Sequence, residues 1–192
     1  MDVLRYATLA FLFSTVSASA WACGFHTEQG IARTLLNLHY PDALHVDGAV
    51  WSAQEQGLLP LDRERLRATG SRRKMLDGHA LHETQKALYA LDESFRQHDV
   101  PGGARPGMAI VLTVSMLWTR YPADGEIKPH VSGPESDDLV VVTDEPVVRF
   151  IADGKMTVDE AIEKGMVRLY GTPEQESSFT SRYGKIGAEP LP

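Results

Sequence analysis

The sequence predicts an α+β fold: a mixed β-sheet covered by helices on one face and preceded by a helical amino-terminal segment. Two observations carry that prediction. Apolar residues recur at helical spacing over residues 77–98, then switch to a period of two over residues 108–121. Further on, the apolar run at 139–142 is followed by two short stretches bearing helix-start and helix-stop residues, and then by a second short apolar run at 166–170.

Residues 1–22 read as a secretory signal. Arg5 lies near the amino terminus, an apolar run covers residues 6–13, and small residues continue to Ala20. The run is shorter than the roughly 20 apolar residues that span a bilayer, and it suits a signal core followed by cleavage after Ala20 or Ala22. Cleavage after Ala22 makes Cys23 the first mature residue and a candidate for lipidation. Ala20 and Trp21 stand where bacterial lipoproteins prefer an aliphatic and a small residue, so the lipid signal is a poor one. The expected location is the periplasm or the exterior, with membrane contact only if Cys23 is acylated.

Residues 23–75 are expected to form a helical segment packed on the main domain. Thr27 caps a first helix over residues 28–39 with Ile31, Leu35 and Leu38 on one face, and Tyr40 before Pro41 stops it. Asp47 caps a second helix carrying Val50, Trp51 and Ala53, which ends at Gly57. The stretch 62–74 sets Arg63, Arg65, Arg67, Arg72, Arg73 and Lys74 against Asp62 and Glu64, which reads as a solvated face.

The main domain is expected over residues 76–172. Its first helix, over 77–98, aligns Leu81, Leu88, Leu91 and Phe95 in a single narrow stripe facing the core. The Pro- and Gly-rich residues 99–107 connect to a strand over 108–121. One face of that strand holds Met108, Ile110, Leu112, Val114, Met116 and Trp118, while smaller or more polar residues line the other. A turn at 122–125 leads to an edge strand over 126–131, kept at the edge by Pro129. A buried strand over 138–143 precedes a short helix with Pro146 near its start and Gly154 at its stop. Thr157 and Glu160 have capping-box spacing, so a second short helix begins there and ends at Gly165, before a strand over 166–170 and Gly171. The polar residues 173–192 read as a loose tail.

The stretch 138–171 resembles the carboxy-terminal half of sterol carrier protein-2 domains. The matching residues are Leu139, Val140, Val141 and Val142 in the strand, Gly154 and Lys155 after the first helix, Ala161 in the second, then Gly165 and Gly171. Upstream, Trp118 and the turn at Asp124 and Gly125 match that family's central hairpin. The resemblance implies helices packed on one mixed sheet with an apolar cavity between them, and a role in binding lipids or other apolar molecules or as a non-catalytic module. Ile110, Leu112, Met116, Trp118, Phe150 and Ile151 are the candidate pocket residues that it implies, each with ordinary core packing as its plain alternative. Two features depart from the family, whose members are typically intracellular: the export signal, and the helical amino-terminal third.

Composition narrows the function classes. The chain has 192 residues, a net charge of −7 at pH 7 and one cysteine. An acidic surface argues against general nucleic-acid binding, and a single thiol excludes an intrachain disulfide. Cys23 and His26 could hold a soft metal, with His39 and His45 as further ligands, but two side chains do not complete a structural zinc site. His79, His82 and Glu83 are in the wrong order for a zinc protease, and both imidazoles lie on the polar side of their helix. No nucleophile elbow, phosphate loop or dinucleotide fingerprint occurs. The acidic pairs at 137–138, 144–145 and 159–160 suit loops and caps, although a glycosidase-like carboxylate pair leaves no local signature. The expectation is an exported non-catalytic protein without a cofactor, binding an apolar small molecule or another exported protein. The alternative is a metal-handling accessory protein that uses Cys23 and His26.

Overall fold

The computed structural model describes residues 29–60, 78–99 and 105–189. The described elements are α1 (Gln29–His39), α2 (His45–Glu55), α3 (Gly78–Gln97), β1 (Met108–Leu112), β2 (Leu117–Tyr121), β3 (Lys128–Val131), β4 (Leu139–Thr143), α4 (Glu145–Ala152), α5 (Val158–Glu163), β5 (Arg168–Tyr170) and α6 (Pro173–Tyr183). The strands form one five-stranded mixed sheet in the order β3-β2-β1-β4-β5. The β1–β4 pair is parallel, and the β1–β2, β2–β3 and β4–β5 pairs are antiparallel. The fold is therefore α+β, as the periodicity predicts. The expected signal, Cys23, His26 and the basic stretch 62–74 lie outside the described residues.

The single strand expected over 108–121 is instead a tight hairpin. Met116 sits at φ 56°, and its N–H donates to the Leu112 carbonyl at 2.8 Å. The four turn residues invert the alternation: Leu112 pairs with Leu117, and Met108 with Tyr121, so these residues share a face despite odd spacing. Trp118, expected beside Ile110, consequently points to the opposite face.

On the Ile110 face, α3, α4, α5 and α6 close the main core. Leu88, Leu91 and Phe95 of α3 are buried as their stripe predicts, and the Tyr121 hydroxyl donates to the Leu88 carbonyl at 3.1 Å. The α5 capping box is complete: the Thr157 hydroxyl accepts from the Glu160 N–H at 3.2 Å, and the Glu160 carboxylate accepts from the Thr157 N–H at 2.8 Å. Ala161 is fully buried, letting α5 approach closely, and Gly165 takes the left-handed cap at φ 71°. At Gly171, a Cβ would sit 2.7 Å from Leu139 Cδ1 and 2.8 Å from Gln175 Oε1, so glycine permits this close approach.

Two expectations about helices are corrected. Residues after Thr172 do not trail off: Thr172 and Gln175 form a second capping box that starts α6, with Pro173 in its first turn. Phe179, Tyr183 and Ile186 then enter the core, with the Phe95 ring centroid 4.8 Å from Tyr183 and 6.2 Å from Phe179. The polar composition of this segment belongs to its outer face. In α1 the expected inward stripe points out, with Ile31 57% and Leu38 73% exposed, while Leu36 is buried. Asp47 lies within α2 and pairs with Arg33 rather than capping, and Trp51 is 46% exposed.

The helical amino-terminal segment covers the other face of the sheet. Tyr40 packs on Trp118 and Tyr170, with ring centroids 6.2 and 5.3 Å away, and the Tyr170 hydroxyl donates to the Pro41 carbonyl at 2.7 Å. Arg33 donates to the Thr113 carbonyl at 3.0 Å, tying α1 to the hairpin turn.

Burial raises the Tyr121 phenol well above its ordinary value, and burial together with the Asp99 carboxylate pushes Tyr183 up to about 12. A raised phenol pKa stabilises the fold fully below the unfolded value near 10, and that contribution is lost as pH rises through the folded value of about 12. Melting temperature is thus expected to fall between pH 10 and about 12 in step with phenolate absorbance. Tyr183→Phe should flatten the decline; an unchanged slope would show that Tyr183 does not contribute to it.

Candidate functional site

The six apolar candidates do not form one pocket. Ile110 and Ile151 line a cavity of about 20 Å³ between the sheet and its helices, together with Leu91, Phe95, Val141 and Phe179. That volume holds about one water molecule. Leu112 is fully buried on the Ile110 face, Met116 occupies the hairpin turn, and Trp118 packs on Tyr40 at the opposite face. Phe150 is partly buried with the Lys155 ammonium 5.4 Å from its ring centroid. Hairpin parity separates Trp118 from Ile110, and adjacent helix positions send Phe150 and Ile151 in different directions. These side chains serve as packing.

The large concavity lies on the other face, along the β4–β5 edge. It has a volume of about 600 Å³ and is walled by Tyr40, Tyr170, Val140, Pro134, His39 and Gln175, with Glu135, Asp137 and Asp138 along its acidic side. Local structure explains each wall. Tyr40 follows the last turn of α1, where Pro41 forces the chain out of the helix. Tyr170 stands opposite Val140 in the β4–β5 register, so the two present neighbouring side chains on one face. Tilted ring packing at 5.3 Å and the hydrogen bond to Pro41 hold the two tyrosines together. Burial raises both phenols above their ordinary value, so they stay neutral near neutral pH.

Arg120 builds the acidic wall. From β2 it reaches the Asp138 carboxylate through Nε at 2.7 Å and Nη2 at 3.3 Å, and meets Glu135 Oε1 through Nη1 at 2.5 Å. Asp138 also accepts from the Glu135 N–H at 2.8 Å, which closes the loop into a fixed turn. A side chain at Gly107 would collide with Asp138, so the absence of one makes room for the clamp. Gln175 bridges to the opposite wall, donating to the Asp137 carbonyl at 2.9 Å while accepting from the Thr172 N–H at 2.8 Å. Asp137 itself is exposed, and its carboxylate has no hydrogen-bond or ion-pair partner among the described residues.

A second polar cluster sits at the carboxyl ends of β1 and β4, where Thr113, Ser115, Thr143, Asp144 and Glu145 are all buried. Asp144 and Glu145, which the sequence assigns to a cap or loop, stand at the start of α4 with Asp144 in the N-cap position, and both are buried. Asp144 precedes α4 in extended conformation without a side-chain capping bond. Among the described residues no three His, Cys, Asp or Glu side chains are grouped to hold a metal ion. His82 is exposed on α3.

Residue-by-residue reading missed the cleft. Tyr40 reads only as the end of a helix and Tyr170 only as the end of a strand, and the Tyr170–Pro41 contact that joins them spans 129 residues. No protein-family model matches this chain, and no curated protein does. Among solved structures the chain is similar to the stereoselective inverting sec-alkylsulfatase Pisa1 from Pseudomonas sp., with 19% identity and a TM-score of 0.35. That similarity covers 51% of this chain and 15% of the alkylsulfatase, and nothing of the latter's activity is carried over. Among the described residues no helix is long and apolar enough to cross a membrane.

Proposed function

We propose that this chain is an exported, non-catalytic binding protein built on a sterol-carrier-like domain, and that it takes a small, largely apolar molecule in the cleft between Tyr40 and Tyr170. The observation that carries this reading is the contrast in space: about 600 Å³ in the outer cleft against about 20 Å³ in the core. Sites for small organic ligands span about 300–1,000 Å³, with aromatic walls and a few placed polar groups. The strand, two short helices (the second with a capping box) and returning strand, in one sheet, support the family resemblance.

Titration with Nile red, a neutral apolar dye, tests the location. One saturable site is expected, weakened about tenfold or more in Tyr170→Ala, which removes an aromatic wall. Ser136→Trp should block the same site from the exposed rim without touching the core. Full-affinity dye binding in both variants would place the ligand elsewhere and end this reading.

A further inference from the structure

The cleft combines two recognition elements that select for charge. One is a pair of neutral tyrosine rings, Tyr40 and Tyr170, whose centroids lie 5.3 Å apart on one wall. An aromatic face carries negative electrostatic potential and attracts a cation within about 6 Å of the ring centre. The other is the facing loop of Glu135, Asp137 and Asp138. Arg120 satisfies Asp138, whose side chain is only 3% exposed, and touches one oxygen of Glu135. The remaining charge points into water: the Glu135 side chain is 66% exposed, and the Asp137 carboxylate is unpaired among the described residues. Arg120 therefore balances one of the three carboxylates; Arg168, which meets Tyr170 from outside the cleft lining, is paired with Asp42 at 4.0 Å, so the loop keeps a negative excess beside the aromatic wall. His39 also lines the cleft, with its Nδ1 2.8 Å from the Leu35 carbonyl of its own helix.

We infer that the ligand is a small organic cation: a protonated amine on an apolar or aromatic body, the body against Tyr40, Tyr170 and Val140 and the ammonium toward Asp137 and Glu135. This rests on the cleft being the binding site. It goes further in naming the ligand's charge. An anionic amphiphile such as a fatty acid would meet these carboxylates head-on, and like charges placed together disfavour binding. A permanently charged or protonated amine gains from both walls at once.

The test is a matched series of phenylbutylamine, phenylbutanol and phenylbutyrate, which share one body and differ in the charge of the head. Binding to the full mature chain is followed by calorimetry and by displacement of Nile red. The expected order is amine, then alcohol, then acid, with about a tenfold spread or more at low ionic strength that narrows as salt is added. In Glu135→Gln with Asp137→Asn, both exposed positions, the amine should fall to the affinity of the alcohol while the alcohol is unchanged. Equal binding of all three, still abolished by Ser136→Trp, would overturn the cationic assignment and leave the cleft as the site. Failure of all three to bind or displace dye would overturn both readings. A short lysine-containing peptide that outcompetes phenylbutylamine would overturn the assignment to a small molecule.

Discussion

A chain ending at Gly171 is expected to lose cooperative unfolding altogether. The truncation removes α6 and the turn after it, and with them Phe179, Tyr183 and Ile186, each no more than 2% exposed. Deleting one large buried side chain costs about 2–5 kcal/mol, and whole domains are stable by about 5–15 kcal/mol. Losing three such side chains therefore consumes most or all of that margin. Phe95 would also lose two of its aromatic neighbours, because its ring packs on both Phe179 and Tyr183 as well as on Tyr121. Circular dichroism melting and limited proteolysis of the truncated chain give the readout. A melting curve matching the full chain would show that α6 contributes nothing to the core. Phe179→Ala supplies a graded version, with about 3–5 kcal/mol lost in denaturant titration.

Asp92→Ala is expected to have the next largest effect, about 3–5 kcal/mol of destabilisation. Asp92 on α3 is 7% exposed and accepts from Arg105 Nη2 at 2.8 Å and from Arg96 Nε at 2.9 Å. Arg96, with its side chain 41% exposed and a second bond to the Gly125 carbonyl, can rehydrate when its partner goes. Arg105 cannot: it is 6% exposed, with its guanidinium 5.8 Å from the Phe95 ring centroid and 5.9 Å from that of Tyr121. Removing Asp92 would strand a cation inside the aromatic cluster, and the desolvation cost of that charge dominates the loss. Arg105→Met combined with Asp92→Leu removes both charges and should recover most of the stability. Urea titration of the single and double variants measures the coupling. A single variant within about 0.5 kcal/mol of the parent would show that the pair is neutral to folding.

Some elements were legible because their causes are local. The capping box of Thr157 and Glu160, the glycine stop at Gly165 and the stripe of Leu88, Leu91 and Phe95 all depend on residues within a few positions of each other. The same local evidence existed for α6, since Thr172, Pro173 and Gln175 carry a cap, a first-turn proline and a reciprocal partner. The polar composition of residues 173–192 masks that signal, because only Phe179 and Tyr183 of the helix turn inward.

Other features depended on contacts far apart in sequence. The hairpin at Met116 changed which residues share a face, so one turn moved Trp118 from the core to the cleft side. Alternation by two is indifferent to such a turn, because both arms remain apolar. In α1, Ile31, Leu35 and Leu38 have the spacing of a buried stripe, yet Leu36 and Tyr40 face the sheet. Amphipathic spacing names a face without naming its partner.

By itself, the amino-acid sequence determined the α+β class, the succession β4, α4, α5, β5, and the capping box and glycine stop that bound α5. Hydrogen bonds and steric limits within one turn of chain suffice for those. The tertiary structure alone decided that the core is filled, that Tyr40 after α1 packs on the second face, and that Tyr40, Tyr170 and the Arg120-clamped loop line an open cleft. Those outcomes rest on contacts between separate elements, from 18 residues apart for Arg120 and Asp138 to 129 for Tyr170 and Pro41, where the free energy of each contact depends on every other element already being in place.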